Sequence, residues 1–253
     1  LNHYGLMIAG EAALSNWDAG MDMYIYGKLG NLAVTKEGIN VLMTNLTGKV
    51  PPILQRLDYI RFNGEAAGYL HDITLTGLFH TGAGMVKTDV MMSIDEQSMS
   101  RTYSGSVASV DLDLGKLLNQ EKKFGKVDFN VELKGFNYKN RYPESYIKGI
   151  ISSFEYSQYQ YENIMLDGVY KDGGFNGRLS MDDENGSVQI NGNFNVAKTI
   201  PDFNLKASVK DLRPHDLHLS DKYENASISL GLTADFTGKS IDDMNGRISL
   251  DSL

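Results

Sequence analysis

Ala226-Ser227-Ile228-Ser229-Leu230-Gly231-Leu232-Thr233-Ala234-Asp235-Phe236 decides the fold class. Apolar side chains hold the even positions, and polar or small ones hold the odd positions. Successive side chains of a strand point to opposite faces, so this stretch reads as a strand with one apolar and one polar face. The same alternation runs through 127–134, where Val127, Phe129, Val131 and Leu133 interleave with Asp128, Asn130, Glu132 and Lys134. It returns in 203–210, where Phe203, Leu205, Ala207 and Val209 interleave with Asn204, Lys206, Ser208 and Lys210. Shorter copies are Ile164/Leu166, Phe175/Leu179, Val188/Ile190, Phe194/Val196 and Ile248/Leu250. Strands buried on both faces of a parallel sheet would read as continuous apolar runs instead. The chain is therefore expected to be all-β, an antiparallel meander with one hydrated face.

The turns agree. Asp172-Gly173-Gly174 and Glu184-Asn185-Gly186 separate successive apolar pairs. Asn-Gly and Asp-Gly supply the positive φ that tight hairpins need. Strands of about six residues are expected, with the glycines gathered at turns and strand ends. The segments 163–170, 175–181 and 187–196 share a degenerate form, apolar-polar-apolar followed by Gly, as in Leu166-Asp167-Gly168-Val169 and Phe175-Asn176-Gly177-Arg178-Leu179. Such hairpin repeats stack on their neighbours into elongated structures.

The first half is less regular. Met21, Met23, Ile25 and Leu29 alternate around Tyr24 and Tyr26, and Leu32/Val34 and Ile39/Leu42 continue the pattern across Lys36-Glu37-Gly38. Two short helices are expected, one after Pro51-Pro52 through Leu57 and one over Leu114–Asn119 with Asp113 as N-cap. No Gly-, Ser- or Pro-rich linker separates domains. We place a soft boundary after residue 110, with an irregular β segment over 1–110 that continues the same sheet as a more regular repeat over 111–253. The chain opens on Leu1-Asn2-His3 and closes on the strand-like Ser249–Leu253, which reads as a segment of a longer protein.

Composition narrows the function. The chain of 253 residues has no Cys, which excludes disulfides and thiolate metal sites and suits an oxidising envelope compartment. A net charge of −8 without a basic patch argues against tracking a nucleic-acid backbone. Polar constellations are sparse. His215 and His218 lack a third ligand at metal spacing, and His71 and His80 read as loop residues. The acidic stretches Asp182–Gly186 and Asp242–Gly246 read as hairpin turns, because neither offers the alternating ligands of a calcium loop. Gly82-Ala83-Gly84 lacks the Lys-Ser/Thr of a phosphate loop, and no Ser sits in a nucleophile elbow. Tyr138, Tyr142, Tyr146, Tyr156, Tyr159 and Tyr161 form an aromatic cluster that strand packing explains and that a sugar-binding platform would also use.

More amphipathic strands are expected than helices to cover them. Their apolar faces must meet in a sandwich, curl closed, or line a long curved sheet whose apolar concave face holds a ligand. Each methylene buried on such a face contributes about 0.8 kcal/mol, so an apolar trough is a competent conduit for acyl chains.

The stretch from about 103 to 253 resembles the AsmA-like repeats of the TamB (translocation and assembly module) family. The resemblance rests on Tyr103–Val107, Leu112–Leu118, Phe124–Val127, Asn163–Gly168, Phe175–Leu179, Leu212–Leu219 and, most specifically, Ala234-Asp235-Phe236-Thr237-Gly238-Lys239-Ser240-Ile241-Asp242-Asp243-Met244-Asn245-Gly246. It implies a taco-shaped β-sheet with an apolar groove. The implied parent is a periplasm-spanning protein of diderm bacteria, anchored in the inner membrane. It also implies lipid transport, a role in outer-membrane biogenesis and protein secretion, and an Omp85-type outer-membrane barrel as partner of the parent. The family has no catalytic residue to carry over, so the expectation is a protein that is not an enzyme and needs neither cofactor nor metal. The groove-facing candidates are Val127, Phe129, Val131, Leu133, Phe203, Leu205, Val209, Ile228, Leu230, Leu232 and Phe236, which would meet phospholipid acyl chains. The competing readings are a carbohydrate- or protein-binding β-sandwich of the cell envelope and a transmembrane barrel, for which most strands other than Ala226–Phe236 are expected to be too short.

Overall fold

The computed structural model describes residues 2–252 apart from 4, 17, 96, 99, 138–143, 196–197, 223 and 240–242. Tyr138 and Tyr142 of the aromatic cluster, Val196, and the 240–242 portion of the closing motif lie outside the described residues.

The chain is mostly antiparallel β-sheet with short helices, as the alternation predicts. Its strands are β1 (Asn2–His3), β2 (Leu6–Ser15), β3 (Tyr24–Thr35), β4 (Tyr59–Tyr69), β5 (Asp72–Thr81), β6 (Gly84–Ile94), β7 (Arg101–Val110), β8 (Leu112–Asp113), β9 (Phe124–Asn137), β10 (Glu144–Tyr156), β11 (Tyr159–Lys171), β12 (Gly174–Asp183), β13 (Gly186–Asn195), β14 (Asp202–Leu212), β15 (Ile228–Thr237) and β16 (Asn245–Ser252). Each hydrogen-bonds to its sequence neighbour, except that β7 neighbours β9 while the short β8 pairs with β9 beside it. The chain divides into two units, Leu1–Asn130 and Val131–Leu253, and the boundary falls within β9.

The strands are longer than the six or so residues expected. β10 and β11 have 13 residues each and β12 and β13 have 10 each. The reason lies in the glycines. Gly168, Gly177 and Gly192 do not end strands but sit inside β11, β12 and β13, where Gly168 pairs with Gly177 and Gly177 with Gly192. Phe175 occupies the space left at Gly168, whereas neighbouring backbone closes on Gly177 and Gly192. A Cβ on Gly168 would lie 2.5 Å from Phe175 Cζ. The first unit repeats the device. Gly64 pairs with Gly77, and a Cβ on Gly77 would lie 2.4 Å from Phe62 Cε2. Phe62 thus leans over both glycines of its pair and Phe175 over Gly168 of its own, where a side chain on the glycine would leave no room.

The first unit carries the helices. α1 (Lys36–Thr47) stands where the sequence pattern continues a strand through Ile39 and Leu42. Ile39, Leu42 and Met43 follow a helical spacing. The Thr35 side chain accepts a hydrogen bond from the Gly38 amide at 3.3 Å, and Gly48 closes the helix at φ 75°. α2 (Pro52–Gln55) and α3 (Leu114–Leu118) lie where expected, and Asp113 caps α3 by accepting from the Lys116 amide at 2.8 Å. The buried cluster of this unit is Val34, Ile39, Leu57, Ala83 and Leu117, packed with Leu6, Met43, Leu54, Ile60 and Leu112. It joins the three helices to one end of the strands. Arg56 ties α2 to α3 by donating to the Leu117 carbonyl, and Lys116 donates to Asp58 at 2.7 Å and to the Gly82 carbonyl at 2.8 Å.

Glycine substitutions separate these roles. Gly77→Val drives a branched side chain into Phe62 and the Asn63 carbonyl oxygen, 2.7 Å from the Cβ position, and is expected to lower stability by about 1–3 kcal/mol. Gly27→Ala, in β3 with nothing within 4 Å of the Cβ position, is expected to be neutral or to stabilise by up to about 1 kcal/mol. Urea midpoints of the two variants read the difference directly. An unchanged midpoint for Gly77→Val would show that the ring-over-glycine packing does not bear on stability.

Candidate functional site: the apolar faces

In the second unit the strand register assembles a continuous apolar face. Phe203 pairs with Phe236, Leu205 with Ala234, Ala207 with Leu232 and Val209 with Leu230. Paired residues share a face, so Phe203, Leu205, Val209, Leu230, Leu232 and Phe236 lie together, as the period-2 pattern predicts. The Phe203 and Phe236 rings stack at 4.7 Å. The pairing carries this face outward in rows. One row is aromatic, Phe175, Phe194, Phe203 and Phe236. The next holds Gly168, Gly177, Gly192, Leu205 and Ala234. The third is aliphatic, Leu166, Leu179, Ile190, Ala207 and Leu232, and the fourth holds Ile164, Met181, Val188, Val209 and Leu230. On β11 the aromatic row ends in Tyr170, which pairs with Phe175 and is exposed, and the four rows contain no acidic or basic side chain. The opposite face alternates with them and carries Asp167, Arg178, Asn191, Lys206 and Thr233.

The face is not packed away. Ala234 is buried, but Phe203, Leu205, Val209, Leu230, Leu232 and Phe236 are only half-buried. β16 pairs only with β15 among the described residues, and its Leu250 on the apolar face is 65% exposed. Residues in a closed dry core of this size would be fully covered.

The remaining candidates fall elsewhere. Ile228 lies beyond a register shift after Val209 and is exposed. Along β9, Val127 and Phe129 belong to the first unit and Val131 and Leu133 to the second. Val127 is buried at 3%, paired with Leu112, and its carbonyl accepts from the Ser109 hydroxyl at 3.0 Å. The first unit has an apolar face that the sequence reading did not single out. Its rows are Phe62, Phe79 and Val86; Ala66, Leu75 and Val90; and Gly68, Ile73, Met92 and Tyr103. The signal was present in Ile73/Leu75 and Met85/Val86/Val90, but threonines and glycines interrupt it.

The polar candidates do not converge. Among the described residues no three His, Asp or Glu side chains group as metal ligands. His215 Nδ1 faces Asp216 at 3.5 Å, whereas His218 Nδ1 bonds the Ser157 carbonyl at 3.0 Å. His71 Nδ1 bonds the Met21 carbonyl at 3.0 Å. Asp183 is committed as an acceptor, taking the Tyr159 hydroxyl, the Glu162 amide at 3.1 Å and the Asn185 amide at 3.0 Å. Of the described tyrosines of the cluster, Tyr146 is exposed and donates to Asp167 at 2.8 Å, whereas Tyr159 and Tyr161 pack inward. Tyr159 and Tyr161 meet edge to face at 4.8 Å, Phe154 lies 6.4 Å from Tyr161, and Tyr161 is buried. A change of side makes this possible. The less exposed positions of β11 run 159, 161, then 164, 166, 168. Asn163, at φ 51°, turns the alternation over between them. Tyr161 therefore lies on the same side as Ile164 and Leu166, and its hydroxyl donates at 2.7 Å to the carbonyl of Leu217, the one fully buried large side chain among the described residues.

No helix among the described residues is long and apolar enough to cross a membrane. Comparison with protein-family models, with curated proteins and with solved structures returns no match.

Burial and the hydrogen bond to Asp183 push the Tyr159 hydroxyl up to about 12. The folded chain thus holds this proton more tightly than the unfolded chain, whose tyrosine titrates near 10. The resulting stabilisation is complete below about pH 10 and is lost as pH rises from about 10 to about 12. Tyr159→Phe is expected to lower the urea midpoint at pH 7 and to flatten its decline between pH 10 and pH 12. A decline as steep as that of the parent would rule out Tyr159 as a contributor to it.

Proposed function

We propose that this chain is a non-enzymatic segment of a TamB-like protein of the diderm envelope that carries phospholipid acyl chains on its apolar sheet faces and so supports outer-membrane biogenesis. The observation that carries the reading is the four-row apolar face of β11–β15. It runs across five strands, carries no acidic or basic side chain and is mostly half-buried. Hydrocarbon and aromatic surface supplies no acid, base or nucleophile, but it lowers the free energy of any aliphatic chain laid against it. At about 0.8 kcal/mol per buried methylene, ten methylenes gain roughly 8 kcal/mol, which offsets much of the cost of immobilising a chain. The strand-and-glycine repeat adds the family resemblance, and with it the expectation of a periplasmic setting and of an Omp85-type barrel as partner of the parent protein.

Site-specific photocrosslinking in the envelope of living cells tests this. Benzoylphenylalanine at Leu205 or Leu232 is expected to yield phosphorus-containing lipid adducts, and at Lys206 or Thr233, on the opposite face, to yield none. Equal labelling of the two faces, or no adduct from Leu205 and Leu232, would sink the proposal.

A further inference from the structure

The β14–β15 connection bears on the same face. Residues 213–220 fold on themselves, with the Leu217 amide donating to Arg213 O at 3.1 Å and the Leu219 amide to Pro214 O at 2.8 Å. The segment thus keeps its own turns wherever it sits. Three polar fixings hold it to the sheet. The Arg213 amide donates to Asn185 O at 2.9 Å, Tyr161 donates to Leu217 O at 2.7 Å, and His218 Nδ1 meets Ser157 O at 3.0 Å. The His218 ring also packs edge to face on Tyr159 at 5.7 Å, and the aliphatic anchor is a single residue. Leu217 is fully buried while its neighbours Asp216, His218 and Leu219 are exposed. The anchor sits beside Tyr161, on the side of β11 that continues into Ile164 and Leu166.

We propose that the place filled by Leu217 is a terminal subsite for an aliphatic chain, and that residues 213–220 form a strap that vacates it when a chain enters. The inference rests on the acyl-carrying reading of the apolar face. A leucine side chain is a short branched hydrocarbon, so whatever accommodates it needs no polar complement and accepts the end of an acyl chain on the same terms. The strap's fixings are hydrogen bonds between side chain and backbone or between turns, which water replaces when the strap lifts. The sheet ladder of β14 and β15 does not have to break.

The chain has no Cys, so Ser157→Cys with His218→Cys gives a single pair of thiols where the strap meets the β10–β11 turn. Bridging that pair with a short bis-methanethiosulfonate reagent, confirmed by mass, pins the strap, and reductant frees it. Binding of pyrene-labelled hexadecanoate is read by fluorescence in both states of the same sample. The expectation is about a tenfold weaker affinity when pinned, the equivalent of about two methylenes of lost burial, with recovery on reduction. Leu217→Ala is expected to bind the probe more tightly than the parent chain. Equal binding in the pinned and freed states overturns the strap and leaves the face intact as a binding surface. No binding in either state, nor in the unsubstituted chain, overturns the acyl-carrying reading and the strap with it.

Discussion

In-register antiparallel pairing is the constraint on which the rest of the structure depends. Residues that pair across strands share a face, and each strand of the second unit from β11 to β15 places its apolar positions on the same side. A slip of one residue in any strand would turn its apolar set toward water. The consequence is an apolar surface that the protein itself covers sparingly. Burial concentrates at strand ends. In the first unit the helices gather Val34, Ile39, Leu57, Ala83 and Leu117, and in the second Tyr161 and Leu217 do a similar job with a loop. Between those ends the face stays half-open.

The glycines belong to the same account. A glycine inside a strand costs conformational entropy and offers no side chain to pack. Both units accept that cost where two glycines pair, and both lay a phenylalanine against the pair, Phe62 over Gly64 and Gly77 and Phe175 over Gly168 alone. The ring recovers the missing apolar contact. Several glycines also take backbone angles that other residues avoid, such as Gly105 at φ 142° and Gly192 at φ 149°. The high glycine content therefore reflects the interior of the strands as much as their turns.

β14 and β15 were legible in the sequence because their alternation is unbroken and rich in Phe, Leu and Val, so period alone reveals the shared face. The two short helices were legible because Pro52 and Asp113 mark their starts. α1 was not, because Ile39 and Leu42 read equally as the end of one alternation, and only the cap at Thr35 and the left-handed Gly48 resolve the ambiguity. Strand lengths were underestimated because Gly168, Gly177 and Gly192 look like punctuation until their pairing is known. The Tyr161–Leu217 contact joins residues 56 apart in sequence, and the turnover at Asn163 that allows it is a backbone event no period reveals.

The central claim is that the half-open apolar face is a hydrocarbon-binding surface and not an unfinished core. Native mass spectrometry of the chain, purified from a diderm host without detergent, tests it most directly. The account predicts protein ions that retain one or more phospholipids and release them on collisional activation. Bare protein alone, from a preparation that remains folded by circular dichroism, would contradict it.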